Sequence, residues 1–358
     1  MANFHPLKVV DIRQETRDAV VLTLEPANGA TVDFSFVQGQ YLTFRKEFEG
    51  EEVRRSYSIC SAVGAPQLQV GIKKVEGGLF SNWANDELKQ GDVLDAMSPM
   101  GNFHTALDKG AAKNYLGFAG GSGITPFMSI IKTILRDEPN SQFTLLYGNQ
   151  SSNTIMFREE LDDLKNIYLG RLSIVHVLER ETQEIEMFNG RFDSQKCAKL
   201  FENWIDLPAV DMAFICGPEP MMVAISDSLK ENGLDASKIK FELFAATKPT
   251  KAGGRAKAKN ISKDAPKIKA SLILDGLSRT IEMVKGQESI LEAGLAAGID
   301  VPHACKGGVC STCKCKVIEG EVEMDANFAL EDYEVEAGYV LSCQSYPITD
   351  KVTVDYDQ

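Results

Sequence analysis

The chain has 358 residues, 44% of them hydrophobic, and carries 51 acidic against 38 basic residues, for a formal net charge of −13 at pH 7. That length exceeds one ordinary core and predicts two or three domains. The acidic balance argues against nucleic acid or an anionic membrane as the main partner.

Residues 1–107 predict an antiparallel β-barrel. Short alternating segments, separated by Gly, Pro and Asp turns, read AVVLTLEP, GQYLTFRK, RRSYSIC and LQVGIKKV, a pattern typical of such a barrel. Two possible binding motifs follow each other here, RRSYS at 54–58 and GGLFS at 77–81. Alternation along a strand places Arg55 and Ser58 on opposite faces unless the strand bends around an extended ligand. By itself this region is weak evidence for a binding site, since a surface arginine and a packed tyrosine explain such a motif in most sequences.

Residues 108–246 predict a doubly wound parallel sheet. Apolar strands alternate with amphipathic helices, the strands being YLGFAG, FTLLYG, LSIVHVL, MAFICG and IKFELF, the helices PFMSIIKTILRD and PMMVAISDSLKENG. Residues 114–131 carry no charge over 18 residues, which is long enough for a membrane-spanning helix. Three glycines and Pro126 interrupt it, which favours strand, loop and helix.

Two motifs in this region lie where such sheets bind ligands. GGSGITP, residues 120–126, joins a strand to a helix, and its glycines permit a tight turn whose N–H groups face a phosphate. It lacks the G-x-G-x-x-G spacing, so the signal is weak on its own. CGPEPMM, residues 216–222, follows a strand at its carboxyl end. Cys216 also fits a buried small residue.

The last third of the chain changes character twice. Residues 247–267 carry seven Lys or Arg against one Asp, which predicts a basic, flexible linker rather than a nucleic-acid contact. Residues 268–358 carry 7 basic against 16 acidic residues. Their strand and helix segments predict a small α+β domain of the β-grasp kind.

Four cysteines in the last domain predict a 2Fe-2S cluster. Cys305, Cys310 and Cys313 have C-x4-C-x2-C spacing within CKGGVCSTC, and Cys343 follows after 29 residues, as in plant-type ferredoxins. Gly307 and Gly308 would let the backbone approach the sulfurs, and such clusters have potentials near about −400 mV.

Other metal sites fit this pattern less well. Zinc sites usually pair two short Cys or His motifs, and a Rieske centre needs two histidines where only His303 is near. The remaining cysteines show no pairing pattern and the start shows no apolar signal-peptide core, so a reducing cytoplasm is expected; these cysteines are Cys60, Cys197, Cys216 and Cys315.

Taken in order, RxYS, GGxxS, GGSGITP, YGN, CGP and FELF resemble the ferredoxin-NADP reductase superfamily, fused here to a C-terminal plant-type ferredoxin domain. The resemblance covers nearly the whole chain. Among fused members, ETRDAV, RRSYSIC, ACKGGVCSTCKCKV and AGYVLSCQ resemble the reductases of bacterial phenylacetyl-CoA epoxidases.

The resemblance implies that the first domain binds FAD. Arg55 would hold the pyrophosphate, Tyr57 would pack on the flavin, and Ser58 would hydrogen-bond near flavin N5. Glu242 and Phe244 match the segment beside the flavin, where an aromatic ring can cover it. Further FAD contacts are expected from the next strand and loop, namely Ile72, Lys74, Gly78 and Ser81.

The resemblance also implies that the second domain binds a nicotinamide nucleotide. Thr125 and Cys216 would lie near the nicotinamide ring, which makes them, with Ser58, the expected catalytic residues, and Pro218 would shape that loop. NADPH is expected rather than NADH, since no acidic residue for a free ribose hydroxyl is evident after the YGN strand. The remaining expected nucleotide contacts are Gly121, Gly123, Gln150, Ser151 and Arg158.

These cofactors imply hydride transfer from nicotinamide C4 to flavin N5, then single-electron steps through the cluster to an external acceptor. The chain lacks the Glu-x-x-His pairs of di-iron sites, so the expected partner is a separate oxygenase, di-iron and multisubunit. A ring-hydroxylating, steroid or alkane oxygenase is the alternative acceptor. A non-catalytic electron carrier or redox sensor is the alternative of another class. A possible acidic docking face, or a merely solvated one, comprises Glu319, Glu321, Glu323 and Asp325.

Overall fold

The computed structural model describes residues 3–27, 34–244 and 266–358, which form three successive β-sheet domains. The predicted basic linker lies outside the described residues except for its last two positions, and one of these, Lys267, begins a strand. Within the described ranges, no helix has the length and apolar character needed to cross a membrane.

The first domain is a six-stranded antiparallel sheet in the order β4-β3-β6-β1-β2-β5. An antiparallel bridge between Ile59 and Val70 links its two edges and closes the barrel. Inward-facing aliphatic and aromatic residues such as Leu7, Phe44 and Phe80 are fully buried and form its core. The elements are β1 (Phe4–Thr16), β2 (Ala19–Pro26), β3 (Tyr41–Phe48), β4 (Glu51–Ser58), β5 (Leu68–Lys73), α1 (Leu79–Asp86) and β6 (Val93–Met97).

The second domain is a parallel sheet in the order β11-β10-β7-β8-β9. Strand order reverses at β7, so the crevice for a ligand opens at the carboxyl ends of β7 and β10. The uncharged run at 114–131 forms a strand and a helix, as predicted. The elements are β7 (Asn114–Gly120), α2 (Ile124–Asp137), β8 (Gln142–Asn149), α3 (Arg158–Ile167), β9 (Leu172–Leu178), α4 (Ser194–Asn203), β10 (Met212–Gly217), α5 (Glu219–Glu231) and β11 (Ile239–Leu243).

The third domain pairs a mixed sheet in the order β13-β12-β18-β14-β16 with a small β15-β17 ribbon. Ser289 and Glu292 form a reciprocal capping box that begins its main helix, whose buried face includes Ile290 and Leu291. The elements are β12 (Lys267–Leu274), β13 (Leu277–Val284), α6 (Ile290–Ala296), β14 (Lys314–Glu319), β15 (Val322–Met324), α7 (Asp332–Glu336), β16 (Tyr339–Leu341), β17 (Ser345–Pro347) and β18 (Lys351–Asp355).

Candidate active site and cluster loop

The RRSYS motif forms the end of β4, and the burial of its side chains does not alternate strictly along the strand. Arg55 is exposed and its Nη1 donates to the carbonyl of Arg54 at 2.7 Å. Ser58 is 1% exposed, and its hydroxyl donates to the Glu242 carboxylate at 3.3 Å. The structure therefore brings Ser58 together with a residue 184 positions away, as expected of one site.

Tyr57 packs against the barrel's aromatic core. Its ring centroid lies 5.6 Å from that of Phe80 and 6.3 Å from that of Phe44. Burial raises the pKa of the Tyr57 phenol far above its usual value, so the ring is neutral at physiological pH and offers an apolar surface.

Gly78 and Ser81 lie at the start of α1. The Ser81 hydroxyl accepts from the Val75 N–H at 3.1 Å, and no side chain caps the helix at Gly78. The N–H groups of its first turn are therefore open to an anion such as a pyrophosphate.

The backbone at Ile72 and Lys74 is partly occupied by the fold. The Lys74 N–H donates to the Asp18 carbonyl at 2.7 Å, and the Ile72 carbonyl accepts from the Asn85 amide at 3.2 Å. These two atoms are already paired, which weakens the case for them as FAD contacts.

Steric contacts and backbone conformation account for the glycines of GGSGITP. A Cβ at Gly120 would lie 2.8 Å from Pro218 Cδ, and one at Gly123 would lie 2.3 Å from the carbonyl oxygen of Cys216. Gly121 has φ +54°, a conformation that favours glycine. The turn therefore packs directly on the loop after β10, so the two predicted nucleotide motifs form one crevice.

Thr125 lies at the start of α2, between the first two domains. It is 2% exposed, and its hydroxyl donates to the Ser122 carbonyl at 3.0 Å. Its methyl group faces Gly71 on β5, where a Cβ would lie only 2.8 Å away. Thr125 is thus held at the boundary that both cofactors would share.

Cys216 and Glu242 are directly paired across β10 and β11. Burial raises the pKa of the Cys216 thiol well above its usual range and raises the pKa of Glu242 from 4.5 to about 8. Glu242 also lines an open cavity of about 240 Å³. Phe244 packs, half-buried, against the core that includes Cys216. At neutral pH this corner of the site is protonated and uncharged.

At the predicted adenosine end, Gln150 and Arg158 are exposed after β8. An acidic residue that the sequence did not indicate lies beside this strand end: the Glu181 carboxylate accepts from the Ser152 N–H at 2.8 Å and from its hydroxyl at 3.0 Å. The nearest sequence signal was weak, since Glu181 follows a different strand, β9.

Two further polar side chains lie at or just after the end of β8. The Ser151 hydroxyl donates to the Asn153 side-chain oxygen at 2.5 Å. The side-chain nitrogen of Asn149 is buried at the end of β8 without a partner among the described residues. An unsatisfied buried donor at the carboxyl edge of the sheet fits a nucleotide that would accept from it.

The four predicted cluster cysteines converge. Cys305 and Cys310 have their sulfurs 3.1 Å apart, and the Gly307 N–H points at the Cys305 sulfur from 3.3 Å. Thiol donation from Cys310 and Cys343 lowers the pKa of Cys305 well below its usual range and raises that of the two donors. The Ser342 N–H donates to the Cys313 carbonyl at 3.1 Å, which ties the fourth cysteine to the loop.

The thiols of the predicted ligand cysteines lie close to one another. Thiolate ligands and an inward-pointing backbone N–H are what an iron-sulfur cluster requires.

The two glycines of the loop differ in their protein surroundings. Gly308 has φ +75°, and a Cβ there would lie 2.8 Å from the Ala326 carbonyl oxygen, so only glycine fits. A Cβ at Gly307 would have the Cys305 carbonyl oxygen as its nearest protein atom, at 3.8 Å. The fold of the loop itself therefore requires a glycine at position 308.

The third domain docks on the other two through contacts that the sequence patterns did not indicate. Arg54, whose side chain is 4% exposed, pairs with Asp300 at 2.8 Å and lies 3.4 Å from the His303 ring. Lys240 pairs with Glu331 at 2.7 Å. Arg54 stood in the RRSYS motif, but its partner lies 246 residues away.

The predicted acidic docking face is partly engaged within its own domain. Glu319 pairs with Lys351 at 2.8 Å and accepts from Thr353 at 3.3 Å. Glu321 is exposed at the turn between β14 and β15. At least Glu319 of this acidic face is therefore already paired with a basic residue of its own domain.

Protein-family models match each of the three domains. An oxidoreductase FAD-binding domain matches residues 6–105, an oxidoreductase NAD-binding domain matches residues 118–227, and a 2Fe-2S iron-sulfur cluster binding domain matches residues 272–347. FAD, a nicotinamide nucleotide and a 2Fe-2S cluster are therefore the cofactors of this chain.

Curated relatives match the chain from end to end. It is 42% identical to one of the subunits of the 1,2-phenylacetyl-CoA epoxidase of Escherichia coli K12, across 100% of this chain and 99% of that protein. It is 33% identical to the ferredoxin reductase component of a Mycobacterium tuberculosis 3-ketosteroid-9-alpha-monooxygenase, across 98% and 94%. The glycine betaine monooxygenase reductase subunit of Pseudomonas aeruginosa is 31% identical, across 98% and 95%.

Solved structures show the same fold. Phthalate dioxygenase reductase superposes with a TM-score of 0.59 at 24% identity, covering 99% of this chain and 98% of that one. An intact type IV self-sufficient cytochrome P450 monooxygenase gives a TM-score of 0.72 at 22% identity, covering 98% and 41%. The chain therefore belongs to the family of NAD(P)H-dependent oxidoreductases that join FAD-binding and NAD-binding domains to a C-terminal 2Fe-2S domain, the reductase components of oxygenases.

Proposed function

We propose that this chain carries electrons from NAD(P)H to a phenylacetyl-CoA epoxidase, a separate multisubunit di-iron oxygenase. The observation that carries the proposal is 42% identity, over the full length of both chains, to a protein named as part of such an enzyme. The ketosteroid and glycine betaine reductases are 9 to 11 percentage points less similar. They make a different oxygenase the second candidate acceptor.

The residue roles are part of the proposal. When bound, FAD takes up the two electrons of a nicotinamide nucleotide together and releases them singly to the cluster. Cys305, Cys310, Cys313 and Cys343 hold the cluster, supported by the convergence of their thiols.

The first two domains would hold the flavin and nucleotide through separate sets of residues. The FAD set comprises Arg55, Tyr57, Ser58, Gly78 and Ser81. The nucleotide set comprises Gly121, Gly123, Thr125, Cys216 and Pro218.

Ser58 and Glu242 supply a protonated pair at the meeting point of the first two domains. The Ser58 hydroxyl donates to Glu242 at 3.3 Å, and burial keeps that carboxyl protonated at neutral pH. Such a pair can hold a proton beside the reacting ring edge without placing a charge there. Cys216 and Thr125 would exclude water from the same corner, since both are buried.

Replacing Glu242 by Gln is expected to flatten the pH dependence of stability. The folded pKa of about 8 lies above the unfolded value. The stabilisation that the protonated Glu242 carboxyl gives to the folded protein is therefore fully present below about pH 4.5, and it is lost as the pH rises through about 8. Between pH 6 and pH 9 the free energy of unfolding of the wild type should fall by on the order of 1–3 kcal/mol, and that of the variant should not show this loss.

Thermal unfolding of both proteins at pH 6 and pH 9 measures this effect. An exposed carboxyl changed in the same way, Glu76→Gln, should retain the wild-type slope. An equal slope in Glu242→Gln and wild type would mean that Glu242 is ionised in the folded protein.

Reconstitution tests the proposed acceptor. The purified chain, loaded with FAD and cluster, is mixed with NADPH or NADH, phenylacetyl-CoA and the oxygenase component of a phenylacetyl-CoA epoxidase, and an oxygenated CoA ester is sought by mass spectrometry. Product that requires this chain supports the proposal. Product with a ketosteroid oxygenase and none with the epoxidase would reassign the acceptor.

A further inference from the structure

The cluster loop touches the flavin-binding barrel at Tyr41, with Met100 packed against the same small apolar cluster. Tyr41, at the start of β3, is 5% exposed. Its hydroxyl hydrogen-bonds to Ser311 Oγ and to Thr312 Oγ1, each at 3.2 Å. These two residues lie between the predicted ligand cysteines Cys310 and Cys313, so Tyr41 hydrogen-bonds to the segment that joins two cluster ligands.

The same tyrosine is fixed to the flavin site by the barrel. Tyr41 pairs with Ser58 in the β3-β4 register, so the two residues are direct neighbours on adjacent strands. A β-bridge joins Tyr41 to Met100, and a Cβ at Gly101 would lie 3.0 Å from the tyrosine ring. The side chain is thus held in place before it meets the loop.

Tyr41 also contacts the ligand shell itself. Its ring belongs to a small apolar cluster with Ala304 and Cys310, against which Cys305 packs. The charged contacts of the docked domain lie elsewhere, at Arg54 with Asp300 and at Lys240 with Glu331. Those ion pairs join the domains but contact none of the ligand cysteines.

We propose that Tyr41 is the positioning residue for electron transfer within the chain, holding the cluster loop against the flavin-binding strand. Electron transfer between two cofactors depends on how far apart and in what geometry they are held, so a buried side chain that binds the cluster loop from the strand next to Ser58 helps to set that distance. The ion pairs at the rim select the docked orientation, whereas Tyr41 fixes the loop within it.

Hydrogen exchange of the loaded protein tests the contact without relying on turnover. Tyr41→Phe keeps the ring and removes both hydrogen bonds, each of which is expected to shift the opening equilibrium by a factor of about 5. Protection of backbone amides in residues 40–44 and 304–313 should fall by about 5- to 25-fold. Tyr168→Phe, a half-buried tyrosine at the end of α3, should leave both segments unchanged.

Rapid kinetics distinguish positioning from a purely structural role. Flavin reduction by NADPH should be unchanged in Tyr41→Phe, while cluster reduction slows by about 5- to 25-fold. Iron content and the electron paramagnetic resonance spectrum of the reduced cluster should match wild type. Unchanged protection, an unchanged cluster-reduction rate, or loss of iron would each overturn the proposal.

A second variant makes the test independent of how Tyr41→Phe folds. Thr312→Val removes one of the two hydrogen bonds from the other side. It should lower the same protection by about 5-fold and add little further when combined with Tyr41→Phe. Fully additive effects of the two changes would show that the residues act separately and would contradict the proposal.

Discussion

Replacing Cys310 by Ala is expected to abolish electron delivery to an oxygenase while leaving NAD(P)H oxidation with ferricyanide near the wild-type rate. Cys310 is buried, and its sulfur lies 3.1 Å from that of Cys305 in the cluster loop. Loss of one of four thiolate ligands removes the cluster. The flavin and nucleotide sites lie in other domains and keep their own contacts.

A matched control is available in the same domain. Cys315 is equally buried but lies outside the four ligands, on β14. Cys315→Ala should retain iron, the cluster spectrum and acceptor reduction. Loss of ferricyanide activity in Cys310→Ala would contradict the separation of the domains, and so would full acceptor reduction in that variant.

Replacing Gly123 by Ala is expected to impair the nucleotide site, where electrons enter the chain. The new Cβ would lie 2.3 Å from the carbonyl oxygen of Cys216 and 3.0 Å from the Gly217 nitrogen. Both atoms are backbone, so the nucleotide turn or the loop after β10 must move. A displacement of about 1 Å in a binding site can cost about 100-fold in rate. NAD(P)H oxidation should fall by about that factor with every acceptor, ferricyanide included.

The variant should otherwise resemble wild type. FAD content and cluster content should be retained, and dithionite, which needs no nucleotide site, should reduce both groups. Gly110→Ala makes the same chemical change where the Cβ would meet only Asp108 at 3.5 Å, and it should be fully active. Normal NAD(P)H oxidation in Gly123→Ala would show that this turn does not carry the nucleotide.

Local sequence signals predicted the folds of the three domains and the motifs of the candidate site. A mostly apolar run marks β2, whose first six residues are all buried, and Gly123 in the turn at 120–123 is required because backbone atoms of the neighbouring loop lie against it. The cysteine spacing predicted the cluster loop because three ligands lie within nine residues. In each case, residues close in sequence carried the information.

Contacts between domains could not be predicted in this way. Tyr41 and Ser311 are separated by 270 residues, and no spacing rule connects a tyrosine at a barrel edge with a serine in a distant loop. Arg54 and Asp300 lie in two different domains, and nothing in the sequence around either residue indicates that they pair. The contact between Ser152 and Glu181 joins the segment after β8 to the segment after β9, and the sequence after β8 alone gives no sign of it.

Glu181 also bears on nucleotide choice. Its carboxylate lies at the edge of the sheet where a 2′-phosphate would bring further negative charge, although the exposed Arg158 remains nearby in sequence. The expectation of NADPH stays a prediction. Both nucleotides belong in every assay of this chain.

The central claim is that electrons pass from the flavin to the cluster inside one docked molecule. Anaerobic rapid mixing of the loaded chain with NADPH, and in parallel with NADH, tests it by following the flavin and cluster absorbance at several protein concentrations. The account predicts that the flavin is reduced first and the cluster second, at a rate independent of protein concentration. A cluster-reduction rate that rises in proportion to protein concentration would show transfer between molecules and would contradict the account.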